Sequence, residues 1–196
     1  TRRQLLIAAG SLPVAATLID VNEADARPIV LADPTVRTWG PIMQIGDSTS
    51  GGYLNGLKRT VNSRNVGPYR CDVQGARSMY RASKRFPSAI DAVRTARAAG
   101  FDPPAYLLAL GSNDLWVVKR KRNSAPMMID AILNEIGTDR TVGFLTLYTV
   151  HTSSAPKFNA ALREATKRWP NLHVMDWAAL ARRNQHWHNK GGVHYT

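Results

Sequence analysis

The sequence predicts a single three-layer α/β domain built on a parallel sheet. Three observations carry that reading. Short apolar runs alternate with helical patterns of about ten to fifteen residues, the signature of right-handed βαβ units. One run, 105–110, is apolar on both faces, as a central parallel strand must be. The chain has 196 residues, of which 44% are hydrophobic, enough for one sizeable core and no second one.

Taken in order, residues 27–41 contain Pro28, Pro34 and Pro41 and read as an extended lead-in. A first strand spans 42–47, where Ile42, Met43 and Ile45 precede a break at Gly46. A helix is expected at about 50–60, then a polar loop from Asn62 to Pro68. A second strand runs from Tyr69 to Gln74 and ends at Gly75, ahead of a basic loop at 76–85. The next helix runs from Pro87 to Ala99, with Pro87 near its start and Gly100 just past its end. The third strand, 105–110, ends in Gly111-Ser112-Asn113-Asp114. A helix at 125–136, a strand at 141–149, a helix at 155–169 and a fifth strand at 172–177 complete the alternation. A short helix and a loop then lead to Gly191-Gly192-Val193-His194.

Composition narrows the function classes. A formal net charge of +12 favours an anionic partner such as nucleic acid, anionic lipid or an acidic cell-wall polymer. RNA-binding aromatic motifs, zinc-finger spacing and a basic helix with heptads are all missing from the sequence, so nucleic acid rests on charge alone. The single cysteine, Cys71, excludes an intrachain disulfide and a cysteine-rich metal site. It reads as a small buried apolar residue. With no glycine-rich phosphate loop, a nucleotide enzyme is not indicated.

The N-terminal stretch has the order of an export signal. Arg2-Arg3 precedes an apolar run to Ile19, and a small-x-small site, Ala24-Asp25-Ala26, follows. The paired arginines resemble a twin-arginine signal. The expectation is a signal over 1–26, the lead-in, and a domain over 42–196, in a secreted or cell-envelope protein. The apolar run is short and interrupted by Gly10 and Pro13, so no membrane span is expected in the mature chain. An envelope location makes anionic wall polymer a more natural partner than nucleic acid.

Small and polar residues gather just after strands one, two and three. In a doubly wound sheet, ligands bind at that edge. If the strand order is 2-1-3-4-5, Ser48, Gly75 and Asn113 sit on neighbouring loops. The 16 residues from Ala178 to Val193 suffice to bring His194 back to them. Ser48 then either caps the helix that follows it or acts as a nucleophile with His194 as its base.

Gly46-Asp47-Ser48, the isolated Gly75, Gly111-Ser112-Asn113-Asp114 and a late Gly-Val-His resemble, in this order, the SGNH (GDSL-type) hydrolase family. The resemblance spans residues 42–196. It implies a flavodoxin-like sheet of order 2-1-3-4-5 and a cofactor-free serine esterase. By that resemblance Ser48 is the nucleophile and His194 the base. The backbone N–H groups of Ser48 and Gly75 and the Asn113 side chain make the oxyanion hole, while Asp47 orders the turn. The expected substrate is an O-acyl group on a cell-wall polysaccharide, or a lipid ester. Acyl transfer and a non-catalytic polymer-binding role are the alternatives.

One position departs from the family. An aspartate usually stands three residues before the histidine, and here that residue is Gly191. A backbone carbonyl orienting His194 in a Ser–His dyad is the first expectation, with Asp176 or Asp114 as substitute acids. The sequence runs only two residues past His194, where the family continues into a closing helix, so a loosely held His194 is expected. Trp116 and Trp187 are expected to line a sugar-binding cleft, whereas Trp177 reads as packing. His186 and His188 have a His-x-His spacing near Asp176 but read as loop residues, and no metal site is expected. His151 and His173 read as strand-end residues.

Overall fold

The computed structural model describes residues 29–31, 40–53, 56–57, 59–60, 67–149, 153–190 and 192–195. Residues 1–26, most of the lead-in, His151 and Gly191 lie outside them. Six strands form one sheet: β1 (Ile29–Leu31), β2 (Ile42–Gly46), β3 (Tyr69–Val73), β4 (Ala105–Ala109), β5 (Thr141–Leu145) and β6 (Leu172–Met175). Their order is β1-β3-β2-β4-β5-β6. The last five are mutually parallel and reproduce the 2-1-3-4-5 order. The lead-in adds what its sequence did not announce: β1 pairs antiparallel with β3 and makes a sixth, edge strand.

Five α-helices are described: α1 (Ala89–Ala98), α2 (Leu115–Arg120), α3 (Ser124–Ile136), α4 (Ser154–Ala165) and α5 (Trp177–Arg183). Strands β3, β4, β5 and β6 succeed one another in one direction across the sheet, so α1, α3 and α4 share one face. The β2-to-β3 connection runs the other way and lies on the opposite face, giving the three-layer α/β/α arrangement.

Strand periodicity fixes what each face buries. Alternate residues Met43 and Ile45, Tyr106 and Leu108, and Val142 and Phe144 enter one continuous core with Val93, Ile129, Ile132, Phe158 and Leu162 of the helices. On the other face Gln44 is fully buried and accepts a hydrogen bond from the Tyr69 hydroxyl. The start of α1 is set by Ser88, not Pro87. Ser88 Oγ accepts from the Asp91 N–H, and the Asp91 carboxylate accepts from the Ser88 N–H, a reciprocal cap.

Three expected elements differ in extent. The helix at 50–60 begins instead as a 3₁₀ turn, Ser48–Tyr53, capped by the Asp47 carboxylate, which accepts from the Thr49 N–H. The strand at 141–149 ends at Leu145, where the Thr146 side chain turns to hydrogen bond with Asp176. Between the strand end at Asp114 and the helix expected at 125 the sequence predicts no element, but 115–120 form α2, buried through Leu115, Val117 and Val118.

Candidate active site

Gly46 ends β2 for a steric reason. A Cβ there would come within 2.2 Å of Ser50 Oγ, so only glycine lets the chain fold back so tightly. The turn is then locked by Asp47, which is fully buried. Its Oδ1 accepts from the N–H and hydroxyl of Thr49, at 2.9 and 2.7 Å. Its Oδ2 accepts from the N–H and hydroxyl of Ser112, at 3.2 and 2.7 Å. One carboxylate therefore ties the Ser48 turn to the loop after β4.

That loop is tied in turn to the loop after β3. Asn113 Nδ2 donates to the Arg77 carbonyl at 3.1 Å. Asp114 accepts from Ser78 Oγ at 2.6 Å and from the Met79 N–H at 2.8 Å. Burial raises the pKa of Asp114, and the hydrogen bonds from Ser78 and Met79 oppose the shift. The Gln74 N–H donates to the Gly46 carbonyl, which sets Gly75 beside Asp47 and Ser48. A Cβ at Gly75 would meet nothing within 4 Å, so the space over it is open. Arg77 anchors the β3 loop from below. It is 1% exposed, pairs with Asp72 Oδ1 at 2.7 Å and donates to the Asp72 carbonyl at 2.8 Å.

His194 arrives from the far end of the sequence. Its Nε2 lies 3.0 Å from Ser48 Oγ. With the ring proton on Nδ1, Nε2 accepts the Ser48 hydroxyl proton. The segment carrying it is not loosely held. The His194 carbonyl accepts from the Asn189 N–H at 2.8 Å, and His188 and Tyr195 form an antiparallel bridge. Trp177 Nε1 donates to the Tyr195 hydroxyl at 2.6 Å. The Tyr195 backbone rests on the 3₁₀ turn, where a Cβ at Gly52 would come within 2.5 Å of the Tyr195 carbonyl oxygen. These contacts hold the His194 segment against the 3₁₀ turn and Trp177.

Both substitute acids are engaged elsewhere. Asp114 faces Ser78 and Met79, as above. Asp176 caps α5 through the Ala179 N–H and also accepts from Thr146 Oγ1 and Arg163. Burial works against its ionisation, but those hydrogen bonds outweigh it and its pKa is lowered. Among the described residues neither carboxylate reaches His194. Gly191, the position of the family's usual acid, lies outside them.

Two recesses flank the site. On the β5 side an open cleft is lined by Thr49, Ser112, Leu115, Leu147, Trp177 and Tyr195. A buried amide holds the wall in place: Asn159 accepts from the Leu147 N–H and donates to the Leu147 carbonyl, both at 2.8 Å. On the other side a groove runs outward from Asn113 between Tyr80 and Trp116.

The tryptophans change roles accordingly. Trp187 does not line the cleft but stacks on Trp177, with centroids 5.8 Å apart, and Trp177 lines it. Trp116 is 61% exposed on the rim of the groove. His188 packs against Tyr148 and Tyr195, at 5.0 and 4.5 Å. Sequence reasoning missed Ser112 as the second partner of Asp47, the Arg77 carbonyl under Asn113, and Tyr195. Only Tyr195 carried a signal, its place directly after His194.

Neither a family model nor a curated protein sequence matches the chain. Solved structures do. The C-terminal catalytic domain of peptidoglycan O-acetyltransferase A from Streptococcus pneumoniae superimposes with a TM-score of 0.62 at 18% identity, covering 79% of each chain. A family 3 carbohydrate esterase from Clostridium thermocellum matches with a TM-score of 0.52 at 15% identity over 81% of this chain and 88% of its own. AlinE4, an SGNH-hydrolase family esterase, matches with a TM-score of 0.61 at 13% identity over 83% and 89%. The 2-1-3-4-5 parallel sheet flanked by helices, and these likenesses, give one conclusion: the chain has the SGNH-hydrolase fold.

Proposed function

We propose that the protein is a serine esterase in which Ser48 attacks an ester carbonyl and His194 takes its proton. The observation that carries this reading is the 3.0 Å approach of His194 Nε2 to Ser48 Oγ, at the carboxyl edge of a parallel sheet. The developing oxyanion is received by the backbone N–H groups of Ser48 and Gly75 and by the Asn113 amide. The same amide that holds the Arg77 carbonyl has a second N–H to offer. His194 then returns the proton to the departing alcohol. Water, activated by the same imidazole, releases the acid from the acyl-enzyme.

The apolar cleft beside Thr49 and Ser112 suits the acyl part of the ester. An O-acyl group on a wall polysaccharide fits the strongly basic chain better than a lipid ester, and with it goes a secreted or envelope location directed by residues 1–26. Fusing those residues to a reporter and following its export tests the location. Transfer of the acyl group to a sugar hydroxyl uses the same acyl-enzyme. The likeness to an O-acetyltransferase domain favours keeping it as the second reading. Partitioning between free acid and acylated sugar, with a sugar acceptor added, separates the two.

The deciding experiment is labelling with a fluorophosphonate probe alongside hydrolysis of p-nitrophenyl acetate. Stoichiometric labelling at Ser48, with Ser48→Ala losing at least about 10³-fold in kcat, is the expected result. An unlabelled protein, or a Ser48→Ala variant as fast as the parent, leaves a binding module with an esterase fold.

A further inference from the structure

The groove beside Asn113 differs in kind from the apolar cleft. Its lining includes Asn113 together with Tyr80, Arg81, Trp116 and Lys121. Two basic stretches, 81–85 and 119–122, carry seven exposed cations, of which Arg81 and Lys121 line the groove. Among the described residues none of these seven is in an ion pair. Elsewhere Arg94, Arg97, Arg140, Arg163, Lys167 and Arg168 each pair with a carboxylate, while Lys157, Arg182, Arg183 and Lys190 are in no ion pair among the described residues. The one acid in the groove lining, Asp114, is buried and occupied by Ser78 and Met79, so it neutralises none of them. The Trp116 ring stands exposed on the rim, with the Arg120 guanidinium 5.6 Å from its centroid.

Unpaired cations gathered on one side of a site create a field that concentrates an anionic ligand. An exposed indole offers a flat apolar face, which matches the C–H face of a sugar ring. The groove opens from the candidate oxyanion donor, on the side away from the apolar cleft, so it is placed to hold the alcohol half of an ester. A sugar acid has all three features this lining answers: a hydroxyl to carry the acyl group, a C–H face to stack, and a carboxylate for Arg81 and Lys121. We propose that this groove binds the alcohol portion of the substrate and that this portion is a carboxylate-bearing polysaccharide. The proposal rests on the esterase reading of Ser48 and names the substrate class of that site.

Binding is measured first, independently of turnover, with polygalacturonate that carries no ester. The charge reversal Arg81→Glu/Lys121→Glu is compared with Lys157→Glu/Arg183→Glu, which changes net charge equally on exposed residues elsewhere. The expected result is binding weakened about tenfold by the groove reversal, within twofold of the parent for the remote one, and lost progressively as NaCl is raised. Trp116→Ala is expected to weaken it severalfold. Should the reversed variant fold poorly, the neutral pair Arg81→Gln/Lys121→Gln gives the same ordering with a smaller effect. Equal losses in the groove and remote variants would overturn the proposal, since only the general charge field would then be at work. Tighter binding of a single-stranded oligonucleotide of equal charge, sensitive to the same groove variant, would also overturn it in favour of a nucleic-acid site.

Turnover separates the two readings. The parent is expected to have at least tenfold higher kcat/KM on O-acetylated polygalacturonate than on equally acetylated xylan, the difference lying in KM. Hydrolysis of p-nitrophenyl acetate with no preference between the polymers removes the groove proposal and leaves the esterase. Groove-dependent polymer binding with no hydrolysis of either ester removes the esterase reading and, with it, the assignment of the groove to an alcohol half.

Discussion

Asp47 accepts four hydrogen bonds, two from Thr49 and two from Ser112, and it is wholly buried. Its two oxygens serve all four donors, where asparagine has one acceptor oxygen, which explains aspartate and not asparagine at this position. Its role is to fix the nucleophile's turn relative to the Asn113 loop. Asn113 is the residue with the sharpest kinetic expectation. On the proposed mechanism Asn113→Ala removes one oxyanion donor and should lower kcat by about 10²–10³-fold with little change in KM, as measured in steady-state kinetics. Asp114 should report on stability instead. Asparagine there can accept from the Met79 N–H and donate to Ser78 Oγ, so both contacts persist without their charge assistance, a cost of about 1 kcal/mol readable as a lower Tm. Its pH dependence has a definite sign. Burial raises the folded pKa above the ordinary value of 3.8, so the folded state holds this proton more tightly than the unfolded one. That contribution to stability is complete below 3.8 and is lost as pH rises through the folded pKa. The Tm difference between parent and Asp114→Asn should therefore change across that interval and be flat above it.

At the scale of elements, the strands were legible because each central one pairs an apolar run with a glycine or polar stop. Ile42–Gly46 and Ala105–Ala109 are cases, and Ser48 and Asn113 stand just past their ends. β1 was not legible. Three residues among prolines carry no periodicity, and their strand character comes from the open edge of β3. α2 was hidden for a similar reason, since six residues give too short a helical pattern and the basic run masks its end. The roles of Trp177 and Trp187 were exchanged because both follow β6 and only their packing distinguishes them. Elements also explain Gly52. Gly52→Ala should push the Tyr195 backbone away from the 3₁₀ turn and take His194 with it. Because Gly52 is exposed, the expected outcome is a fall in kcat of about tenfold or more with Tm nearly unchanged, measured by esterase assay and thermal melt.

On the scale of the molecule, the four sequence blocks that resemble the family meet at one edge of the sheet because the topology leaves them nowhere else to go. β2 sits between β3 and β4, so the loops carrying Gly75 and Asn113 must flank Ser48. The sequence could not say what holds His194 in place, since that depends on contacts between Tyr195, Trp177 and the 3₁₀ turn, which are remote in sequence. Ser48 and His194 are 146 positions apart, so their meeting is among the longest loops the chain must close. Contacts of such separation tend to form late in folding. In a refolding experiment, far-ultraviolet circular dichroism is expected to recover before hydrolysis of p-nitrophenyl acetate does; simultaneous recovery would contradict this order. A nascent or nicked molecule in which His194 has yet to dock thus carries the Ser48 turn without the imidazole beside it. On the proposed esterase reading, its chemistry stays switched off until the whole sheet has been assembled.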